Sequence, residues 1–147
     1  MKKTIFMLML LAISFALSAQ EKKSWAPFYF SKDYVVVAVC ANTTDEELLS
    51  IRKNILKYSS IRFTNFDVIR SGDGSIYFLS MEVDCRDGYS GKISHAFEPG
   101  DTTYYGFVRD FSLNTYKKPF FIGNLLSPYS GINHVEEYIK ENSKEEE

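Results

Sequence analysis

Few side chains in this sequence could move a proton or attack a carbonyl group. There are two histidines, His95 and His134, and a Gly88-Tyr89-Ser90-Gly91 segment that resembles the G-x-S-x-G motif of serine hydrolases. The segment lacks the second glycine in its proper place, and it lies in a predicted strand-to-strand turn rather than before a helix. A small hydrolase that uses His95 with Ser90 or nearby carboxylates is therefore only the alternative hypothesis.

Metal and cofactor motifs are also missing. The two histidines are not spaced as the zinc ligands of a peptidase helix, and Asp84 with Asp87 would supply too few oxygens for calcium. Gly72 and Gly74 lie in a predicted hairpin turn, with no following helix and no Lys-Ser/Thr pair to hold a phosphate. We predict that the protein uses no metal ion and no cofactor.

The charge distribution excludes one class of partner. The 147 residues contain Lys+Arg 17 and Asp+Glu 19, without a long basic run, so a nucleic-acid partner is not expected. The segment Glu136–Glu147 holds six Glu and two Lys. The surplus negative charge of the mature chain therefore lies at its C-terminus, and the rest of the mature chain is balanced.

Cys40 and Cys85 leave two alternatives open. In an oxidising compartment a disulfide between them would close a loop of about 46 residues and stabilise the fold by roughly 4 kcal/mol. Both cysteines also lie in apolar strand patterns, where a free thiol packs as a small hydrophobic side chain. The sequence does not decide between these states, because it does not give the Cα separation that a disulfide requires.

Aromatic residues are concentrated in one part of the chain, between Tyr104 and Phe121. Most aromatic side chains of a small domain belong to its core, but those on both faces of one strand cannot all point into a one-sided core. Some of them should therefore be exposed or covered by a partner. The candidates for this binding surface are Tyr104, Tyr116, Phe120 and Phe121.

The N-terminus predicts export. Lys2-Lys3 precedes an apolar run from residue 5 to about residue 17, and the small residues Ser18-Ala19 follow, which is the pattern of a cleaved signal peptide over residues 1–19. The run of about 13 apolar residues is shorter than the roughly 20 that span a bilayer, so no stable membrane insertion is expected after cleavage. Because no cysteine precedes Cys40, we predict a periplasmic or secreted protein that is not a lipoprotein.

A modification signal fits this location. Asp101-Thr102-Thr103 resembles the O-glycosylation signal of exported proteins in some Gram-negative bacteria, which makes Thr102 a candidate acceptor. An ordinary turn is the competing interpretation of the same three residues.

The mature chain is predicted to form one domain, over residues 33–142. Residues 20–32 precede it as an N-terminal leader, and residues 143–147 follow as an acidic disordered tail. The continuously apolar segment Asp33–Ala41 predicts a central strand or one covered by a helix. Residues 131–142 predict a helix at the end of the domain.

Between these elements the pattern predicts one helix and four strands. Thr43 with Glu46, or Thr44 with Glu47, has the spacing of a capping box at a helix start. The helix should bury Leu48, Ile51, Ile55 and Tyr58, with Leu49 and Leu56 widening the buried stripe. The strands that follow should include a bulge near Thr64-Asn65, and the alternation after the hairpin predicts one face formed by Tyr77, Leu79, Met81, Val83 and Cys85.

The element order β-α-β-β-β-β-α predicts an α+β fold, with a single antiparallel sheet of about five strands and two helices on one face. This order is similar to that of TATA-binding-protein-like folds, which also occur in exported bacterial proteins with no link to DNA. In that topology the first strand pairs with the fifth.

Three segments carry a further resemblance: Thr43–Leu48, the stretch Phe66–Ile76, and Asp87–Gly91. On these segments the region Asn42–Phe97 resembles a module from the extracytoplasmic part of bacterial membrane metallopeptidases of the beta-lactam-sensor type. The zinc motif and the membrane helices of the peptidase part are absent from this sequence. The resemblance implies a free-standing envelope module with a sensor or interaction role and no active site.

These observations favour a non-enzymatic binding or interaction module of the bacterial cell envelope. We expect it to recognise a protein or an envelope polymer through an aromatic sheet face or an exposed sheet edge. A small periplasmic hydrolase is the alternative, and a purely structural subunit is a third possibility. The oligomeric state does not follow from the sequence.

Overall fold

The computed structural model describes residues 27–112 and 119–131. The signal peptide, the acidic tail and all but the first residue of the predicted second helix lie outside these ranges. The elements in chain order are β1 (Phe28–Phe30), β2 (Tyr34–Val39), α1 (Asp45–Tyr58), β3 (Arg62–Arg70), β4 (Ile76–Asp84), β5 (Ser90–Ala96), β6 (Tyr105–Asp110) and β7 (Phe120–Asn124).

The strands form two antiparallel sheets, so the prediction of a single sheet of about five strands is wrong. The four-stranded sheet has the order β1-β2-β6-β7, and the three-stranded sheet has the order β3-β4-β5. One helix, α1, lies within residues 27–112 and 119–131. The described part of the chain is mostly β, and it forms two sheets in place of the predicted α+β arrangement with two helices on one sheet face.

The turn Glu98–Asp101 explains the error. The sequence predicts that this turn joins two paired strands, but β6 already pairs with β2 along one side and with β7 along the other. The loop also satisfies its own polar groups, because the N–H of Asp101 donates to Glu98 O at 3.0 Å and Asp101 Oδ1 accepts from the N–H of Thr103 at 2.8 Å. The loop therefore carries the chain from one sheet to the other.

Strand β2 is central, as its continuous apolar sequence predicts. All six of its residues are buried. One face of the strand contributes Val35, Val37 and Val39 to the main core, the apolar cluster between the two sheets. The opposite face contributes the alternate residues, Tyr34, Val36 and Ala38, to a second apolar cluster. The pairing of β2 with β6 agrees with the expected pairing of the first and fifth predicted strands. A Cβ at Gly106 of β6 would lie 1.8 Å from the carbonyl oxygen of Val37, so this close approach requires glycine.

Helix α1 begins with the predicted capping box. Thr44 Oγ1 accepts from the N–H of Glu47 at 3.2 Å, and Glu47 Oε2 accepts from the N–H of Thr44 at 2.8 Å. The helix buries Leu48, Ile51 and Ile55 in the main core. Leu49, Leu56 and Tyr58 are exposed instead, so the apolar stripe is narrower than the sequence predicts.

Two bulges shape the three-stranded sheet. The register between β3 and β4 shifts between Phe63 and Asn65, which confirms the predicted bulge at Thr64. A second shift, which the alternation does not predict, pairs Ile69 with Phe78 but Arg70 with Ile76. The bulged residue Tyr77 is consequently 49% exposed. Ile76 occupies the core position that the alternation assigns to Tyr77.

The two sheets meet along two seams. At the first seam β5 packs against β7, where a Cβ at Gly91 would lie 2.7 Å from Ile122 Cγ2 and 3.0 Å from Phe120 Cε1. At the second seam α1 lies beside β3, because Arg70 bonds to Asp45 at the helix start (2.7 Å) and Arg52 further along donates to Phe66 O. The end of α1 reaches β1, where the rings of Tyr58 and Phe30 are 5.4 Å apart.

A buried arginine ties the sheets together at the first seam. Arg109 of β6 is 7% exposed, and its Nε and Nη2 donate to Asp87 Oδ2, at 3.0 and 2.5 Å, in the turn between β4 and β5. Its guanidinium carbon lies 4.5 Å from the ring centroid of Tyr89 and 4.6 Å from that of Phe111. This pair joins the turn of one sheet to a central strand of the other.

Within the described ranges, no helix is long and apolar enough to cross a membrane.

Gly91→Ala should lower the free energy of unfolding by about 1–3 kcal/mol, because the added methyl group overpacks the seam between β5 and β7. Gly72→Ala is the matched control, since a Cβ there meets nothing within 4 Å, and it should change stability by less than about 0.5 kcal/mol. Urea denaturation measures both. Equal stability of the two variants would show that the seam is not closely packed.

Asp87→Asn should lower the free energy of unfolding by about 2 kcal/mol, because it leaves the buried Arg109 without its counter-charge. This value is reduced from that of a fully buried pair, since the Asp87 side chain is 34% exposed. Asp45→Asn removes the carboxylate of an ion pair whose acid is 80% exposed, and it should cost less than about 1 kcal/mol. A larger effect at Asp45 than at Asp87 in the same denaturation assay would contradict the role of Arg109.

Candidate functional site

The two candidate residues of the hydrolase hypothesis lie apart. On β5, His95 pairs with Leu79 of β4 and Ser90 pairs with Asp84. His95 is five positions after Ser90, which places their side chains on opposite faces of the sheet and about 17 Å apart along the strand. Ser90 is therefore out of reach of His95 for proton transfer.

His95 is held by packing and by one carboxylate. Its ring stacks on Tyr105 with centroids 3.7 Å apart and meets Phe97 edge-on at 4.7 Å. His95 Nε2 lies 3.4 Å from Asp101 Oδ2, but the hydroxyl of Thr103 donates to Asp101 and not to His95. The arrangement holds the loop between β5 and β6, and no hydroxyl or thiol of the described residues is hydrogen-bonded to the histidine.

Asp101 is the anchor of this loop. Its Oδ1 accepts from the Thr103 hydroxyl at 2.5 Å and from the Thr103 N–H at 2.8 Å. These bonds, with a smaller contribution from His95, hold the pKa of Asp101 below its ordinary value. The stabilisation is present above the ordinary pKa of an aspartate and is lost as the pH falls through the lowered pKa.

The described aromatic candidates pack against two different apolar clusters. Phe120 packs against the main core, and Tyr104 and Phe121 pack against the second apolar cluster. Phe120 and Phe121 are neighbours on β7, so they point to opposite faces of the four-stranded sheet. Tyr116 lies outside the described residues.

Both cysteines are free thiols, one at each end of the three-stranded sheet. Cys40 is next to Ala41, whose carbonyl oxygen accepts from the N–H of Ile76 (2.7 Å) at the start of β4. Cys85 follows the other end of β4, about 30 Å from Ile76 along the strand. A disulfide requires Cα atoms within about 7 Å, so the bridge is not formed in this arrangement. Burial raises the pKa of the Cys85 thiol to about 12.

Thr102 is exposed in the loop between β5 and β6, next to the anchored Asp101. The O-glycosylation of Thr102 stays a prediction. Metal ligands are also not assembled, since residues 27–112 and 119–131 contain no group of three or more His, Cys, Asp or Glu side chains that could hold an ion.

A groove between α1 and β3, which we call the α1–β3 groove, is a site that the sequence did not indicate. It has a volume of about 440 Å³, within the roughly 300–1,000 Å³ that ligand pockets occupy. Ile55, Phe63 and Phe66 supply its apolar surface, and Arg52 and Arg62 supply positive charge. Leu56 lines it while remaining 68% exposed.

The bulge of β3 lies in the wall of this groove. Thr64 and its neighbour Asn65 line it, and a bulge bends a strand away from its regular course. Asn65 is held in turn by Ser80 of β4, whose hydroxyl accepts from its amide at 2.9 Å. The second seam therefore stays open beside the C-terminal half of the helix.

Arg52 spans the groove from the helix side. Its Nη2 donates to the carbonyl oxygen of Phe66 at 2.5 Å, and its guanidinium carbon lies 5.0 Å from the centroid of the Phe66 ring. Arg62 makes no ion pair within the described part of the chain. Arg70 and Arg109, in contrast, are both paired with carboxylates.

One feature of the sequence is consistent with the exposure of Leu56. Leu49 and Leu56 are seven residues apart with Arg52-Lys53 between them, which places the leucines on one side of a helix. This side is distinct from the one that Leu48, Ile51 and Ile55 bury. The spacing of the two leucines therefore distinguishes them from the residues of the buried apolar stripe.

Comparison with known proteins gives no relative: no protein-family model, no curated protein and no solved structure matches this chain. The resemblance to the metallopeptidase module therefore stays a prediction.

Native protein treated with iodoacetamide at pH 8 without reductant should gain one adduct, at Cys40. Cys85 is buried, and with a pKa of about 12 only about one molecule in 10⁴ carries its thiolate at that pH. The same treatment in guanidinium chloride should give two adducts by mass spectrometry. No adduct in denaturant would show that the two cysteines are bonded in the protein.

Proposed function

We propose that this chain is an exported, non-enzymatic binding module of the bacterial cell envelope, which contacts a protein partner through the α1–β3 groove. The observation that carries the proposal is an open groove that combines apolar side chains, two arginines and the exposed Leu56. A leucine of an amphipathic helix normally faces the core. A large apolar side chain exposed beside a groove is typical of an interaction surface.

The expected contact surface moves from the aromatic candidates to this groove. Phe120, Tyr104 and Phe121 contact the protein's own clusters, which supports a structural role for them. The sheet edges are also partly covered, since α1 lies beside β3 and β5 packs against β7. A partner that adds a strand to an open edge is thus less favoured than one that fills the groove.

The hydrolase alternative has less support. His95 has a carboxylate neighbour in Asp101, but Ser90 lies on the other face of the sheet. The hydroxyl nearest to the pair, that of Thr103, already donates to the carboxylate. General acid–base catalysis needs the base within hydrogen-bond reach of the group that it activates.

Site-specific photo-crosslinking tests the proposal. Replacing Leu56 by p-benzoylphenylalanine places the probe in the groove, and replacing Leu126 (52% exposed, after β7) places it at a control position. With envelope extract from the source cells, the Leu56 probe should give a discrete protein adduct and the Leu126 probe should not. The adduct is identified by mass spectrometry.

The charge variant Arg62→Glu provides the second arm. Arg62 is exposed and lines the groove, so its reversal should reduce the adduct at Leu56 without changing the unfolding midpoint. The same adduct from both probe positions, or no adduct from either, would contradict binding through the groove.

A further inference from the structure

We infer that the partner presents an acidic segment with an apolar residue at its centre, and that this residue enters the α1–β3 groove while flanking carboxylates pair with its arginines. The inference rests on the proposed function and names the chemistry of the partner.

The interior of the groove is apolar. Ile55 and Phe66 are almost fully buried, and Phe63 is half buried and stacks on Phe66 with centroids 4.6 Å apart. Leu56 extends this surface outward from the helix. An apolar side chain of the partner would remove the exposed surface of Leu56 and Phe63 from water, which contributes roughly 25 cal/mol per Å² of apolar area.

The charge around the groove is mainly positive. Arg52 and Arg62 line it, and Lys53 and Lys57 are exposed on the same helix. Asp67 is the one carboxylate among its lining residues. The lining residues therefore carry two cations and one carboxylate, although the body of the mature chain is balanced.

The nearby carboxylates of the described residues do not form ion pairs with these two arginines. Asp84 stands opposite Arg62 in the strand register, but its Oδ1 accepts from the N–H of Arg86 at 2.8 Å, and no ion pair joins it to Arg62. Arg52 donates to a carbonyl oxygen and lies over the face of an aromatic ring, and both of these groups are neutral. A guanidinium binds a carboxylate more strongly than a neutral acceptor, through charge-assisted hydrogen bonds.

These features select a peptide over an anionic polymer. A polymer that carries only charged and hydroxyl groups would pair with the arginines, but it would make no apolar contact with Leu56 and the ring of Phe63. A peptide with carboxylates on both sides of a leucine, isoleucine or phenylalanine satisfies both parts. Electrostatic complementarity of this kind mainly adds specificity and a faster association rate.

Selection from a random dodecapeptide library displayed on phage tests the inference on the full-length protein. Clones that also bind the Arg62→Glu variant are removed. The enriched peptides should carry net negative charge around one or two large apolar residues. Enrichment of basic or neutral peptides, or no peptide that depends on Arg62, overturns the inference.

One enriched peptide is then synthesised and titrated. Arg62→Glu, and the milder Arg62→Gln, should weaken its binding by about tenfold or more and about threefold, and raising the salt from 0.15 to 0.5 M should weaken it further. Lys92→Glu makes the same charge change on the exposed face of β5 and should alter the affinity by less than twofold. Equal loss in the Arg62→Glu and Lys92→Glu variants overturns the inference.

Two competitors separate the other occupants. Inorganic polyphosphate that displaces the peptide at equal charge concentration would show that apolar contact is not needed. Binding that appears only after deletion of Ser143–Glu147 would show that the chain's own acidic tail is the occupant. Either result overturns the inference, and an adduct at Leu56 in the crosslinking experiment would still support binding through the groove.

Discussion

The fold depends on the buried positive charge of Arg109. A guanidinium in the interior costs several kcal/mol unless its donors and its charge are matched. Arg109 meets this demand with Asp87, with the carbonyl oxygens of Asp110 and Pro119, and with two aromatic rings. The turn that carries Asp87 is consequently fixed against β6, and this brings the start of β5 to β7.

The contact between β5 and β7 at the first seam determines how the sheets are joined at the second seam. With β5 held on β7, the two sheets face each other over a shared core, and their opposite edges are joined by α1 rather than by strand pairing. A helix and a strand leave more irregular space between them than two strands do, and the bulge at Thr64 widens it. The α1–β3 groove is thus a product of the architecture, and its side chains decide what it binds.

Local features were predictable from the sequence and long-range ones were not. The capping box of Thr44, the bulge at Thr64 and the buried strand β2 each depend on a few neighbouring residues. The division into two sheets depends on which segments occupy the edges of β6, and no local pattern contains this information. Arg109 was equally hidden, because a cation in a strand normally indicates a solvent-facing position. Among the site residues, Leu56 was assigned to the core since its spacing fits a wide apolar stripe.

The two sheets also differ in how far apart their partners lie along the chain. Strands β3, β4 and β5 pair with their sequence neighbours, whereas Tyr34 pairs with Asp110 and Val39 with Tyr105. Contacts between distant segments carry a larger loop-closure entropy and form later in folding. The three-stranded sheet can assemble early as a local meander, and the β2–β6 pairing then becomes the slow step. A chain with this order of events keeps one edge of its continuously apolar strand β2 unpaired until the end, and that exposed edge favours premature association with other chains.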